Sequence, residues 1–256
     1  MGDFANFLPA THALLLAFAR CTGFMAFAPI LGARTVPQLV KVMLALALAS
    51  MIAPNLQVHP SQAFLDWAWL IALETSIGAA MGLAASLLFE IIGFAGSLVD
   101  YQVGFGFINV VDPLFGLNVS ILSFLYNFLA MVVFLQLNGH HVLIEVFTRS
   151  YDLIGLASFS FQTSAIEQMV RQTSSIFELG FRLAAPMTCV MLLLDFSFGM
   201  LGKTVPQFQI LVIGFPLKVG IGLLALGLSL GPMVSFMMRL FSGLRENLLT
   251  LMASWG

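Results

Sequence analysis

Charge is scarce in this sequence: only 9% of its 256 residues are Asp, Glu, Lys or Arg, against about 25% in an ordinary soluble domain. So few charged side chains cannot clothe a water-exposed globule, which excludes the soluble class. The net charge is −2 and no basic block occurs, which disfavours nucleic acid as a partner, and none is expected. Cysteine is nearly missing as well. Cys21 and Cys189 lie in apolar runs with no CxxC or Cys/His spacing, which excludes a disulfide framework and a thiolate metal site. The sequence also lacks GxxxxGK[ST], HExxH, GxSxG and the dinucleotide fingerprint, so it offers no seat for nucleotide or acyl chemistry and implies no cofactor. Among the four histidines, His140 and His141 are adjacent and would point about 100° apart on a helix. His141 and Glu145 share a face, but no third ligand is nearby. No metal is expected, and NGHH reads as a helix start with Asn138 and Gly139 in the turn.

What the chain has in abundance is apolar length. It is 60% hydrophobic with mean hydropathy +1.01, the composition of a membrane protein. Its first residues carry Asp3 where a signal peptide would carry Lys or Arg, so they read as a retained first helix. Apolar blocks at about 4–31, 39–54, 63–99, 119–137, 176–201 and 208–241 suggest six spans by hydropathy. Charge spacing argues differently, because a free-standing span needs roughly 20 uncharged residues. Glu74 and Glu90 enclose 15 residues, Arg182 and Asp195 enclose 12, and Lys203 and Lys218 enclose 14. Only 119–137 and 219–238 pass the length test comfortably.

An ionised group at the centre of a lone span costs about 2.5–3.5 kcal/mol or more. Glu74, Glu90, Asp100, Asp195 and Lys218 are therefore expected to face protein or water, or to sit at helix ends. Gly78 with Gly82, and Gly227 with Gly231, form GxxxG pairs that let helix backbones approach closely. These features predict an all-α, membrane-associated chain of helical hairpins packed tightly within a larger assembly. The long polar interval 148–175 reads as a water-exposed loop with a short amphipathic helix. Lys/Arg placement does not fix an orientation.

The segment DYQVGFGFINVVDP, residues 100–113, alternates Gly104 and Gly106 with Phe105 and Phe107, continues through Ile108 and Asn109, and is bracketed by Asp100, Gln102, Asp112 and Pro113. A flexible backbone carrying bulky apolar side chains at membrane depth is tolerated only inside protein or along a cavity. It reads as a constriction or plug, with an ordinary interhelical loop as the alternative. KTVPQFQILVIGFPLK, residues 203–218, repeats in its opening the RTVPQ of 34–38. Pro206 and Pro216 are expected to interrupt a helix near both ends of that segment. Pro37, Gln38, Pro206, Gln207, Pro216 and Lys218 are the candidate subunit-contact residues. Glu74, Glu90 and Asp195 could instead form a proton relay, the reading of a secondary transporter.

The ordered set APILGARTVPQ (28–38), DYQVGF…DP (100–113), NGH (138–140) and PQFQILVIGFPL (206–217) resembles the FliR family of flagellar type III export-gate proteins. Residues 183–233 are in turn similar to FliQ, a small two-helix gate subunit, although here Leu217 separates Pro216 from Lys218. The resemblance implies a helical region 1–175 and a FliQ-like hairpin 176–256. It also implies a non-enzymatic role in the bacterial inner membrane at the flagellar basal body. There the chain would assemble with FliP, FliQ and FlhB into the channel that passes unfolded flagellar subunits, with Gly104 to Asn109 matching the loop at the pore constriction. A related subunit of virulence secretion systems is the neighbouring possibility.

Overall fold

The computed structural model describes residues 2–33, 35–56, 64–105, 120–156, 163–204 and 210–255. Among these the chain is all-α. The helices are α1 (Gly2–Phe27), α2 (Gln38–Ile52) followed by a 3₁₀ turn (Ala53–Asn55), α3 (Phe64–Val103), α4 (Ile121–Gln136), α5 (Gly139–Leu153), α6 (Thr163–Thr204), α7 (Ile210–Ser242) and α8 (Leu244–Ala253). Among the described residues four helical stretches are long and apolar enough to cross a membrane: Gln38–Asn55, Asp66–Val103, Glu167–Thr204 and Gly214–Ala253. The chain is an all-α membrane protein.

Three sequence expectations need correction. Charges do not delimit the helices, since α3 runs 40 residues through Glu74, Glu90 and Asp100, and α6 runs 42 through Arg182 and Asp195. Hydrogen bonding propagates a helix residue by residue whatever the side chain, so a charge selects a face without ending the helix. The interval 148–175 is largely helical, with α5 reaching Leu153 and α6 beginning at Thr163. Pro216 does not break its helix either. Both Pro216 and Pro232 lie inside α7, each sacrificing one backbone hydrogen bond, a loss that membrane helices tolerate. Pro206 and Gln207 fall outside the described residues.

The chain divides into two compact units. One comprises residues 1–87, 140–172 and 243–256, the other 88–139 and 173–242. In the first, glycines bring α1 and α3 into backbone contact. A Cβ on Gly82 would lie 2.6 Å from the Phe24 carbonyl oxygen, while one on Gly78 would strike that of Arg20 and one on Gly23 that of Thr75. Around this seam Leu16, Phe24, Ile77 and Met81 are buried, and Phe24 stacks on Phe147 of α5 at 4.8 Å between centroids. Helix α8 buries Leu244, Leu248 and Leu251 and is tied to α5 by Arg245 to Glu145 at 2.9 Å.

In the second unit Phe89, Phe134 and Phe241 form a ring cluster with centroids 5.2–5.4 Å apart. Gly96 lets α3 meet α4 closely, since a Cβ there would lie 2.6 Å from the Ser123 Cα. Ser123 Oγ adds a hydrogen bond to the Gly93 carbonyl at 2.9 Å. Asn138 ends α4 at φ +54°, a left-handed conformation that Asn adopts more readily than most residues.

The turn after α1 is strained. Leu31 N donates to the Pro29 carbonyl at 2.8 Å across Ile30, whose φ is +68°. This three-residue turn is rare, and for a β-branched residue the left-handed region costs about 1–2 kcal/mol. Lys41 Nζ steadies the turn by donating to the Gly32 carbonyl at 2.9 Å. Ile30→Gly should therefore hold or raise the unfolding midpoint of the purified chain in detergent, although it deletes a half-buried side chain. A loss above about 2 kcal/mol, the cost expected of an unstrained core isoleucine, would show the turn to be relaxed.

Candidate functional site

The described part of the 100–113 segment begins where α3 ends. Gly104 N closes the last turn on the Asp100 carbonyl at 3.1 Å, and Gly104 then leaves the helix at φ +97°, a conformation that glycine takes without steric cost. The Asp100 side chain is buried, and its Oδ1 accepts from Leu122 N at 3.0 Å. Leu122 is in the first turn of α4, where backbone N–H groups lack helical partners and the helix dipole favours negative charge. Ser120 caps the same end, its Oγ accepting from Ser123 N at 3.0 Å. One carboxylate at the start of the segment thus holds the helix that follows it. Tyr101 is exposed, and Gln102 and Phe105 are half-buried. Gly106, Phe107, Ile108, Asn109, Asp112 and Pro113 lie outside the described residues.

The base of this segment meets the early part of α7. Gly104 faces the Phe215 ring, 3.4 Å from where a Cβ would stand, and Val103 packs on Gly222. Between those contacts sit Pro216, which is exposed, and Lys218, whose Nζ reaches Asp195 Oδ1 of α6 at 2.7 Å. The end of α3 thus packs on the stretch of α7 that carries Pro216 and Lys218, through Gly104 on Phe215 and Val103 on Gly222. Pro37 and Gln38 belong to the other unit, where Pro37 caps α2 and both side chains are exposed.

The family of bacterial export proteins, family 1, matches residues 11–244. This chain belongs to it. The flagellar biosynthetic protein FliR of Escherichia coli (strain K12) is 33% identical over 225 residues, covering 87% of this chain and 86% of that protein. FliR of Pectobacterium carotovorum subsp. carotovorum is 30% identical over 226 residues, 88% of this chain and 87% of its own length. FliR of Bacillus subtilis (strain 168) is 28% identical over 250 residues, 95% and 96% of the two chains. The FliR resemblance seen in the sequence motifs thus extends over nearly the whole chain.

Sequence reasoning about this FliR-family chain missed a multiply bonded buried group, Arg20. The side chain is fully buried, and its Nε donates to Glu74 Oε2 at 2.6 Å. The guanidinium nitrogens donate to the Ser150 carbonyl, Ser150 Oγ and the Ile154 carbonyl, all at 3.2 Å. The Tyr151 ring lies 4.3 Å from the guanidinium carbon, and Tyr151 OH donates to the Ala17 carbonyl at 3.2 Å. Ile154 directly follows α5, where carbonyls lack helical donors and a cation is favoured, while the Ser150 carbonyl also accepts from Ile154 N at 2.9 Å. Arg20 therefore fastens α1, α3 and the end of α5 at one point. A signal was present: Arg20 is the sole charge in the first apolar block, and an isolated buried charge demands an opposite partner. Glu74 was expected to face protein or water and faces Arg20; Glu90 is exposed. Among the described residues, no group of three or more His, Cys, Asp or Glu could hold a metal ion.

Proposed function

We propose that this chain is a structural, non-enzymatic channel subunit of the flagellar type III protein export gate in the bacterial inner membrane. In this reading it assembles with FliP and FliQ and contacts FlhB, residues 176–256 serve as the FliQ-like hairpin, and residues 104–109 line the constriction. Membership of the export family is the observation that carries the reading. Two features of the surface support it. Helix α2 buries only Ala45 and Ala49, leaving Leu39, Val40, Met43, Leu46 and Met51 exposed. A Cβ on Gly227 or Gly231 would meet nothing within 4 Å among the described residues, unlike one on Gly78 or Gly82, so this second small-residue pair is open to receive another helix.

The transporter reading has less support. Glu74 is engaged with buried Arg20, and Asp195 with Lys218, so two of the three candidate relay carboxylates already hold structural partners.

The test is to delete residues 104–109 and measure ion conductance of the assembled gate in planar bilayers. A leak of ions through the resting gate is the expected result, because the segment is anchored at its base by Asp100 and would occlude the lumen. Conductance equal to that of the intact gate would remove the constriction role.

A further inference from the structure

In the second unit a cavity of about 470 Å³ lies among α4, α6 and α7, within the range of roughly 300–1,000 Å³ typical of small-molecule sites. The Lys218–Asp195 pair and the contact of Gly222 with Met191 set α6 and α7 antiparallel. Arg182 of α6 and Arg239 of α7 consequently lie toward the same end of the cavity. From there its lining continues past Pro186 and Pro232 to Val190 and Ala225. The result is an elongated apolar chamber with two guanidinium groups at one end.

The charges at that end do not cancel. Arg182 is paired with Glu178 at 2.7 Å, both side chains being about two-thirds exposed. Arg239 is exposed and has no acidic partner among the described residues. One uncompensated positive charge remains beside an apolar cavity, on helices long and apolar enough to cross a membrane. Basic pockets between membrane helices suit anionic lipid headgroups, each Lys or Arg near an anionic surface contributing about 1 kcal/mol.

We propose that this cavity binds one anionic phospholipid, with its phosphate against Arg239 and an acyl chain running along Pro186 and Pro232. The net charge of one favours a monoanionic headgroup, and the apolar lining gives the acyl chain a seat without any buried polar demand. Lipid binding here stands apart from the channel reading, since the site needs only α4, α6 and α7 of this chain. Gly227 and Gly231 are not among the residues lining it, leaving that pair available for a protein neighbour.

The test is native mass spectrometry of the purified full chain in neutral detergent, titrated with phosphatidylglycerol or phosphatidylcholine. Wild type should retain phosphatidylglycerol about five-fold better than phosphatidylcholine. Arg239→Gln, an exposed change that should leave the fold intact, is expected to abolish that preference. Ala225→Trp should fill the cavity and reduce retention of both lipids, whereas Arg245→Gln in the other unit should behave as wild type. Circular dichroism and gel filtration confirm that each variant is folded. Equal retention of the two lipids by wild type, or an undiminished preference in Arg239→Gln, would overturn the proposal. So would cross-linking of Ala225→Cys to a partner subunit in the assembled gate with no lipid retained, which would assign the cavity to a protein helix.

Discussion

Arg20→Ala should destabilise the purified chain by about 3–5 kcal/mol, because it leaves the Glu74 carboxylate buried without its cation. The loss is compound. Glu74 is 1% exposed and cannot turn to water, and the Ile154 carbonyl after α5 loses both guanidinium donors, while the Ser150 carbonyl keeps only its bond from Ile154 N. Glu74→Gln should cost less than Arg20→Ala, since the amide oxygen can still accept from Arg20 Nε. The double change Arg20→Met with Glu74→Leu should recover most of the stability, because apolar pairs of similar volume commonly replace buried ion pairs without loss. Unfolding in mixed micelles, followed by far-UV circular dichroism, reads all three. If the double variant proves as unstable as Arg20→Ala, the hydrogen bonds to α5 matter more than the ion pair. If Arg20→Ala itself costs under about 1 kcal/mol, the typical worth of a surface pair, the site is wetter than its burial implies.

Gly78→Leu should be about as damaging, by a purely steric route. A Cβ there meets the Arg20 carbonyl oxygen and, at 2.8 Å, the Phe24 backbone nitrogen. The obstruction is backbone and not the tip of a flexible side chain, so α1 and α3 must separate, at or above the roughly 1–3 kcal/mol usual for overpacking. Separation would also draw Arg20 away from Glu74, coupling the two predictions. Gly231→Leu supplies the contrast. A Cβ there would meet nothing within 4 Å among the described residues, so the isolated chain should hold or gain up to about 1 kcal/mol from better helix propensity. In the gate reading, however, the same change should block association. Unfolding midpoints of the isolated variants, set beside their recovery with co-expressed FliP and FliQ, separate folding from assembly. Gly231→Leu that assembles like wild type would remove the glycine face from the interface.

Much of this arrangement is legible in the residues. Low charge and continuous apolar length specify an all-α membrane chain, since only helices and closed barrels satisfy the backbone in lipid. Gly78 and Gly82 marked a close helix contact that is present, and the motifs spread over 28–38, 100–113, 138–140 and 206–217 pointed to the family whose match covers residues 11–244. Helix lengths were less legible. Charge spacing suggested short segments, but Asp195 and Lys218 neutralise each other across α6 and α7, and Glu74 is neutralised from α1. A charge whose partner lies 54 residues away in sequence looks like a boundary until the chain is folded.

The sequence by itself determined the helical class, the membrane setting and the family, because these follow from composition, hydropathy and ordered motifs, each a local property of the chain. Tertiary structure alone decided which of two similar glycine pairs is consumed inside the chain and which is left open. It also decided that Arg20 and Asp100 fasten helix ends, and that Arg182 and Arg239 share the rim of one cavity. Those outcomes depend on groups distant in sequence meeting at hydrogen-bonding or van der Waals range, where a few tenths of an ångström separate contact from clash.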